Sequence, residues 1–560
     1  MSIDSVPVPI QLRRTAETPA GPRPGERPRA RPRPGPRRIR QAVVLDFLGE
    51  LRDYVSTFFR MPRVGPVLIG TILREQGLSV RVFSEAVEEF GAETAAAIKD
   101  AQLVAMSVLT YGANRAYAMA AVVRRLNPDA LIVMGDVHPT IMPEHCLRHC
   151  DFVVRDEGDE TIVELLAALE GGPGAPALEE VRGLSFRREG AFRHNPRRER
   201  QQELPHAADL SLVERWVQSD LKSLARQGKL SMAVLQASRG CPVACKFCLG
   251  SAILGRAYRT RDVDRVMENL HHIRRLSLGE KRVTYIVDNH FFIDKEWTRE
   301  ILRRIVREGI KLQFIAFGQY FVGRDPEMLD LLREAGFIRI FCGLESINAR
   351  TLEEYNKKQN AREMFECVRA MEAHGVRVHG SFMLGGETDT LETVRETIDF
   401  SIRCGMASAS FYGLCEYPFE SHPFVPATNM LPKNRLLPHN LDHFNLNFVS
   451  IYPKCMPPSQ LQRGLIEAYT RFYSWRRALG PLAGGDWDLA TLRGMCLWGH
   501  FRLVRQMRDY LPFLEQCERG KYDQQGRLLE DRLGDELPTY DTPLPAAYAK
   551  LQHEAPLVHA

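Results

Sequence analysis

The sequence lacks a fourth cysteine near its one dense cysteine cluster. It also lacks a long apolar run and a strong excess of either charge. Each absence excludes something. Without a stretch of about 18 apolar residues, no membrane-spanning helix is expected. The N-terminus has no apolar segment of the secretory kind. The net charge of +5 is small for 560 residues. The arginine-rich N-terminus supplies much of it, so the rest is near neutral and no nucleic-acid partner is expected. The 12 cysteines are scattered, which argues against a disulfide framework and for a reducing, cytoplasmic setting. With 44% hydrophobic and 26% charged residues, the chain reads as soluble and globular. Its length suits roughly two to four domains.

What is present centres on residues 237–250, Ala-Ser-Arg-Gly-Cys-Pro-Val-Ala-Cys-Lys-Phe-Cys-Leu-Gly. Cys241, Cys245 and Cys248 are spaced C-x3-C-x2-C, and the next cysteine is Cys342. Three thiolates in a loop opened by Gly240 and Pro242 can converge on a soft-metal site. A 4Fe-4S cluster normally takes four cysteines, so one iron would be left for a ligand that is not protein. Zinc would want paired C-x2-C units or a close histidine. The nearest downstream histidines, His271 and His272, fall in a predicted helix.

Around this loop the chain alternates strand and helix. Residues 1–39 are rich in proline and arginine and are expected to be a solvated tail or a tether to an anionic surface. Apolar runs at Ala42–Leu45, Val80–Phe83, Leu103–Ser107, Leu131–Met134 and Phe152–Val154, with helices between, predict a doubly wound parallel sheet over 40–165. Ligands in such sheets lie beyond the carboxyl ends of the strands. Residues 166–230 read as a connector with no visible chemistry. Strands at Met232–Gln236, Arg282–Val287, Gln313–Phe317, Ile338–Phe341, Val378–Leu384 and Ser408–Leu414 predict a six-unit partial barrel over 231–430. Its chemistry should sit at the carboxyl ends of the strands. Residues 431–560 should be mostly helical, with one amphipathic helix over Pro458–Leu479. Phe444, Phe448, Tyr452 and Trp475 should be core or pocket aromatics.

The cysteine spacing, with Phe247 before the last cysteine, resembles that of the radical S-adenosylmethionine (radical SAM) enzymes. The resemblance covers about residues 40–475. It is strongest to the branch with an N-terminal cobalamin-binding-like domain, near the hopanoid methylases. It implies an α/β chain with a Rossmann-like cobalamin-binding-like domain, a partial (β/α)6 radical SAM barrel and a helical C-terminal region. Cys241, Cys245 and Cys248 would hold a 4Fe-4S cluster whose open iron takes SAM. Phe247, Asp288, Glu345, Ser346, Gly385 and Gly386 would contact SAM. Asn356-Lys357-Lys358-Gln359 also matches a stretch frequent in this branch. In the N-terminal domain, Ser107, Thr110, Tyr111, Gly135, His138, Pro139, Thr140, Glu157 and Gly158 would face cobalamin. Asp136 and Asp156 stand where the family has glycine. His138 is not read as a cobalt ligand, since Ile141 breaks the D-x-H-x-x-G pattern. Its plain reading is a loop histidine that caps local backbone.

The implied reaction is reductive cleavage of SAM to a 5′-deoxyadenosyl radical, hydrogen abstraction from a small-molecule or lipid substrate, and cobalamin-dependent C-methylation. An external donor such as flavodoxin or ferredoxin would supply the electron. A cyclase, carbon–carbon coupling enzyme or oxidoreductase without cobalamin is the alternative. A non-catalytic iron–sulfur redox sensor is the reading from another class. No residue is singled out as catalytic. Tyr412, Glu416 and Tyr417, at the end of the sixth strand, are the candidates to face substrate.

Overall fold

The computed structural model describes residues 38–49, 59–219, 230–277, 282–417, 430–438 and 440–533. The expectations for residues 1–37 and for residues 534–560 lie outside the described residues.

The first 200 residues supply β1 (Gln41–Asp46), β2 (Phe59–Arg60), β3 (Ser79–Ser84), β4 (Leu103–Ser107), β5 (Leu131–Gly135), β6 (Phe152–Val154), β7 (Leu184–Arg188) and β8 (Ala191–His194). All but β2 form one sheet in the order β3-β1-β4-β5-β6-β7-β8. The strands from β3 to β6 are parallel and covered by helices. Their apolar runs are therefore buried on both faces, and β1 exposes only Gln41. The pair β7–β8 is a difference from expectation. It lies in the stretch read as a connector, yet it extends the sheet in antiparallel fashion. The charge of Arg187–Arg200 masks a short alternation in which Leu184 and Phe186 face the core. Glu189 and Gly190, both at positive φ, close the hairpin.

The barrel region supplies β9 (Leu230–Leu235), β10 (Ser238–Arg239), β11 (Arg259–Thr260), β12 (Val283–Ile286), β13 (Gln313–Gly318), β14 (Phe337–Glu345), β15 (Arg377–Leu384) and β16 (Ser408–Gly413). The large sheet runs β16-β15-β14-β13-β12-β9-β2 and is parallel throughout. Its seventh strand, β2, comes from the N-terminal region and pairs Phe59 with Leu230. The covering helices follow from sequence. Lys295–Arg307 starts where Asp294 accepts the Trp297 N–H at 3.0 Å. It buries Thr298, Ile301, Leu302 and Ile305, an i, i+3, i+4, i+7 stripe.

Helices Pro458–Phe472, Trp475–Leu479 and Trp487–Cys517 follow the barrel. The single helix expected over 458–479 breaks at Tyr473 and Ser474. The break lets the Tyr473 hydroxyl accept from Ala409 N–H at 2.9 Å and donate to Ala409 C=O at 2.7 Å. A tyrosine thus satisfies backbone groups of the edge strand β16, which would otherwise template pairing with another chain. Phe444, Phe448 and Tyr452 are buried as expected, but Trp475 is 64% exposed and lines neither core nor pocket.

Candidate functional site

The cysteine loop is held from three sides. Below it, the Asp288 carboxylate accepts from Ala237 N–H and from the Ser238 hydroxyl, each at 2.7 Å. Asp288 is 0% exposed, and burial pushes its pKa up to about 6. The aspartate expected to meet SAM is instead a brace beneath the loop. On the second side, the Arg239 guanidinium donates twice to Asp159, at 3.0 Å each, and to Glu157 at 3.3 Å. Arg259 also donates to Glu157, at 3.0 Å. Two carboxylates of the N-terminal region thus clamp the strand pair β10–β11 that flanks the loop. On the third side, Asn356 donates to the carbonyl of Ala244 at 3.1 Å, and Lys246 N–H donates to Tyr355 C=O at 3.2 Å. Gly240 has φ +84°, and a Cβ there would stand 2.0 Å from the Ala257 carbonyl oxygen. No other residue fits this turn.

Cys241, Cys245 and Cys248 open onto one cavity of about 380 Å³ inside the barrel. Phe247 lines it too and packs edge-on against Tyr355. Burial raises the thiols of Cys241 and Cys245, the latter to about 11. Metal ligation therefore has to displace their protons. Among the described residues no three such side chains are arranged for a single metal ion. A 4Fe-4S cube needs wider spacing, which suits three thiols around a cavity rim. Glu345, at φ +63°, also faces this cavity and lies 3.2 Å from the Lys357 ammonium. Burial opposes the charge on Lys357, but Glu345 and then Cys245 outweigh it and raise its pKa.

His290 lines the same cavity and is 2% exposed. Its Nδ1 accepts from Phe292 N–H at 3.1 Å, so Nε2 carries the proton; that donor has no partner among the described residues. A buried donor left unmatched beside three thiols fits a site built for a polar cofactor. Sequence reasoning missed His290, Asn289 and Lys357 as cavity residues. Ser346, Gly385 and Gly386 do not reach the cavity wall. The Ser346 hydroxyl accepts from Asn348 N–H at 3.1 Å, and both glycine N–H groups donate to Asp389, at 2.9 and 3.0 Å. Glu416 accepts from Met430 and Leu431 N–H at 2.8 and 3.1 Å, and Tyr417 stacks on Phe444. Of the three residues at the sixth strand end, Tyr412 alone lines the cavity.

The second cavity, of about 450 Å³, lies at the carboxyl ends of the N-terminal sheet. Val44, Ala105, Val133 and Val154 form one wall, and Ile69 and Ile162 the other. Such an apolar slot fits a flat ring system, and the barrel closes it with Val234 and Ile253. Of the residues expected to face cobalamin, Ser107, Gly135, Glu157 and Gly158 line this cavity, whereas Thr110, Tyr111, His138, Pro139 and Thr140 do not. His138 sits in the short helix Val137–Ile141, fully buried, with Nε2 2.7 Å from the Tyr117 hydroxyl. It is therefore a core histidine rather than a loop cap, and it does not face the slot. Thr140 is a strut: its hydroxyl donates to Asp136 C=O at 2.8 Å and accepts from Asp156 N–H at 2.9 Å.

Those two aspartates are the departures from glycine, and both have positive φ, +87° and +61°. The backbone conformation that favours glycine is retained, and each carboxylate has an arginine. Arg63 donates to Asp136 at 2.7 Å, to Asp46 at 2.6 Å and to Ser107 C=O at 3.0 Å. Arg197 holds Asp156 by two bonds, at 2.8 and 2.6 Å. Each added carboxylate is thus ion-paired within the protein, Asp156 with its own arginine and Asp136 with an arginine that it shares with Asp46. Met61 lines both cavities and is part of the wall between them.

Residues 55–166 match the B12 binding domain, and residues 235–401 match the radical SAM superfamily. The chain is a radical SAM enzyme with a B12-binding domain, a class that uses a 4Fe-4S cluster, SAM and cobalamin. It is 28% identical over 367 residues to an uncharacterised methyltransferase of Pyrococcus horikoshii, across 64% of this chain and 76% of that protein. It is 31% identical over 175 residues to the hopanoid C-2 methylase of Rhodopseudomonas palustris, across 30% of this chain and 33% of that one. Its fold is similar to that of TsrM, a radical SAM methyltransferase from Kitasatospora setae solved with cobalamin and a 4Fe-4S cluster. The TM-score is 0.56 at 15% identity, across 84% of this chain and 99% of that one. Among the described residues no helix is long and apolar enough to cross a membrane.

Proposed function

We propose that this chain is a radical C-methyltransferase in which two cofactor cavities serve one substrate. The observation that carries the reading is their adjacency: Met61 belongs to both walls. When bound, the cluster with SAM would supply radical hydrogen abstraction from the substrate, and cobalamin would supply the methyl group. The chain's own residues bind, orient and exclude water. Cys241, Cys245 and Cys248 would ligate three irons. Phe247, His290, Glu345 and Lys357 line the space beside them and would position SAM, with Glu345 and Lys357 paired so that neither is a stray charge. Asp288, Arg239 and Asn356 act through the loop and are positioning residues. Ser107, Gly135 and Gly158 rim the apolar slot and would hold cobalamin. The reductant would be an external donor such as flavodoxin or ferredoxin, and the substrate a small molecule or lipid.

A second reading has one observation in its favour. Arg63 and Asp136 line the slot and bridge it with charge. A cyclase, coupling enzyme or oxidoreductase that keeps this domain as a scaffold would tolerate that bridge. Reconstitution with hydroxocobalamin separates the two. Methyl transfer requires about one cobalamin retained per chain through desalting, read by its visible spectrum. If none is retained while SAM is still cleaved under dithionite, the scaffold reading replaces the first.

A further inference from the structure

The barrel cavity has a second end that the cofactors leave unexplained. Along β14, Arg339, Phe341, Cys342, Gly343 and Glu345 line the cavity. Glu345 marks the cysteine end. Arg339 lies six positions below it, roughly 20 Å of strand. It is thus remote from the thiols and from the Glu345–Lys357 pair.

Arg339 has no ion pair or hydrogen bond among the described residues, and its buried Nε is unmatched. Tyr285, His379 and Cys496 are among the titratable groups in electrostatic contact with it. None carries a negative charge near neutral pH. Burial raises Tyr285 well above its usual range and Cys496 to about 11. His379 is held neutral by burial, and its two ring nitrogens bond Ser408 and Ser410 at 2.8 and 3.0 Å. A guanidinium facing a cavity with no carboxylate at ion-pairing distance among the described residues is an unmet demand for an anion.

The wall beside and above Arg339 is aromatic. Tyr285, Phe317 and Phe341 have ring centroids 5.2, 5.4 and 5.5 Å apart, and Phe317 is 38% exposed. An apolar ring showing that much surface inside a barrel is contact area for a ligand.

We propose that the lower half of the barrel is a subsite for an organic carboxylate with a flat, unsaturated body. Arg339 grips the carboxylate by its paired N–H donors. Tyr285, Phe317 and Phe341 take the body, which holds the far end of the molecule toward the thiols. A carboxylate matches the charge better than a phosphate. One guanidinium balances one negative charge, and the cavity's other cation, Lys357, is bound to Glu345. The proposal rests on the radical reading only in taking this occupant to be the substrate. The anion site itself does not depend on it.

The test uses full-length, cluster-reconstituted protein with SAM, kept anaerobic without reductant. The probes are 2-naphthoate and its neutral analogue 2-naphthamide, with binding read by ligand-observed NMR. Wild type should prefer naphthoate by at least about tenfold, the scale of one charge-assisted hydrogen-bonded pair. Arg339→Met should bring the ratio near one, and Arg339→Lys should leave it intermediate. Arg339→Met should also melt no lower than wild type, because it breaks no internal contact; a purely structural arginine would lower the melting temperature. Equal binding of the two probes, no binding of either, or a preference that survives Arg339→Met overturns the proposal. Tighter binding of naphthyl phosphate than of naphthoate overturns the choice of carboxylate. SAM cleavage under dithionite is measured separately on the same preparation. If cleavage fails while the preference holds, the radical reading falls and the carboxylate site stands. If cleavage proceeds while the preference is absent, the radical reading stands and the carboxylate site falls.

Discussion

The two cavities sit at equivalent places, beside the carboxyl ends of parallel strands, yet they are electrically opposite. In the N-terminal sheet each arginine at the mouth is answered by protein: Arg63 by Asp46 and Asp136, Arg197 by Asp156. In the barrel, His290 Nε2 and Arg339 are left unanswered among the described residues. A surface whose charges are held in ion pairs suits a large, mostly apolar guest that is held by shape. A surface with unmatched donors is incomplete until a polar guest arrives.

The comparison can be broken most severely at the thiols. Replacing Cys241, Cys245 and Cys248 together with alanine should drop bound iron from about four per chain to background, read by iron assay and visible absorbance, with SAM cleavage lost. A cluster that survives would show that the barrel cavity is not its site. The next effect contrasts two arginines. Arg63→Met strands Asp46, which is buried, and should cost about 3–5 kcal/mol in urea unfolding. Arg339→Met strands nothing and should change stability by less than about 0.5 kcal/mol. Equal losses for the two variants would erase the distinction between answered and unanswered charge.

A pH-dependent effect concerns Asp288, whose pKa burial raises to about 6. The folded protein holds that proton to higher pH than the unfolded chain. Its contribution to stability is therefore full below about pH 4 and is lost as pH rises through about 6, a change of up to about 3 kcal/mol. Asp288→Asn preserves the shape and should remove that part of the slope. An unchanged slope between wild type and variant would mean that the brace is not protonated in this window.

Legibility in the sequence followed the range of the interactions. The buried parallel strands were readable because each is a short apolar run, and the cysteine loop because its spacing is local. The strand β2 was not readable: two residues carry no periodicity, and only pairing with Leu230 and Ser231 makes them a strand. The glycine departures at Asp136 and Asp156 were visible, but their arginines lie 73 and 41 residues away. Nothing in one sequence links such pairs. Asp288 and Glu416 misled because a strand-end carboxylate looks the same whether it meets a ligand or braces a backbone. Arg339 could have been found, since it is a lone cation in an otherwise apolar strand that ends in Glu345.

The smallest strand has a consequence for how this protein can be cut. Because Phe59 and Arg60 form the outer stave of the barrel, a fragment starting after the N-terminal sheet would carry β9 with a bare edge. It would also lose Glu157 and Asp159, leaving two buried guanidinium groups beside the cysteine loop without counter-charges. The two halves are thus stitched through chain order as well as through contact, and an isolated barrel should be recovered as aggregate rather than as a working half-enzyme.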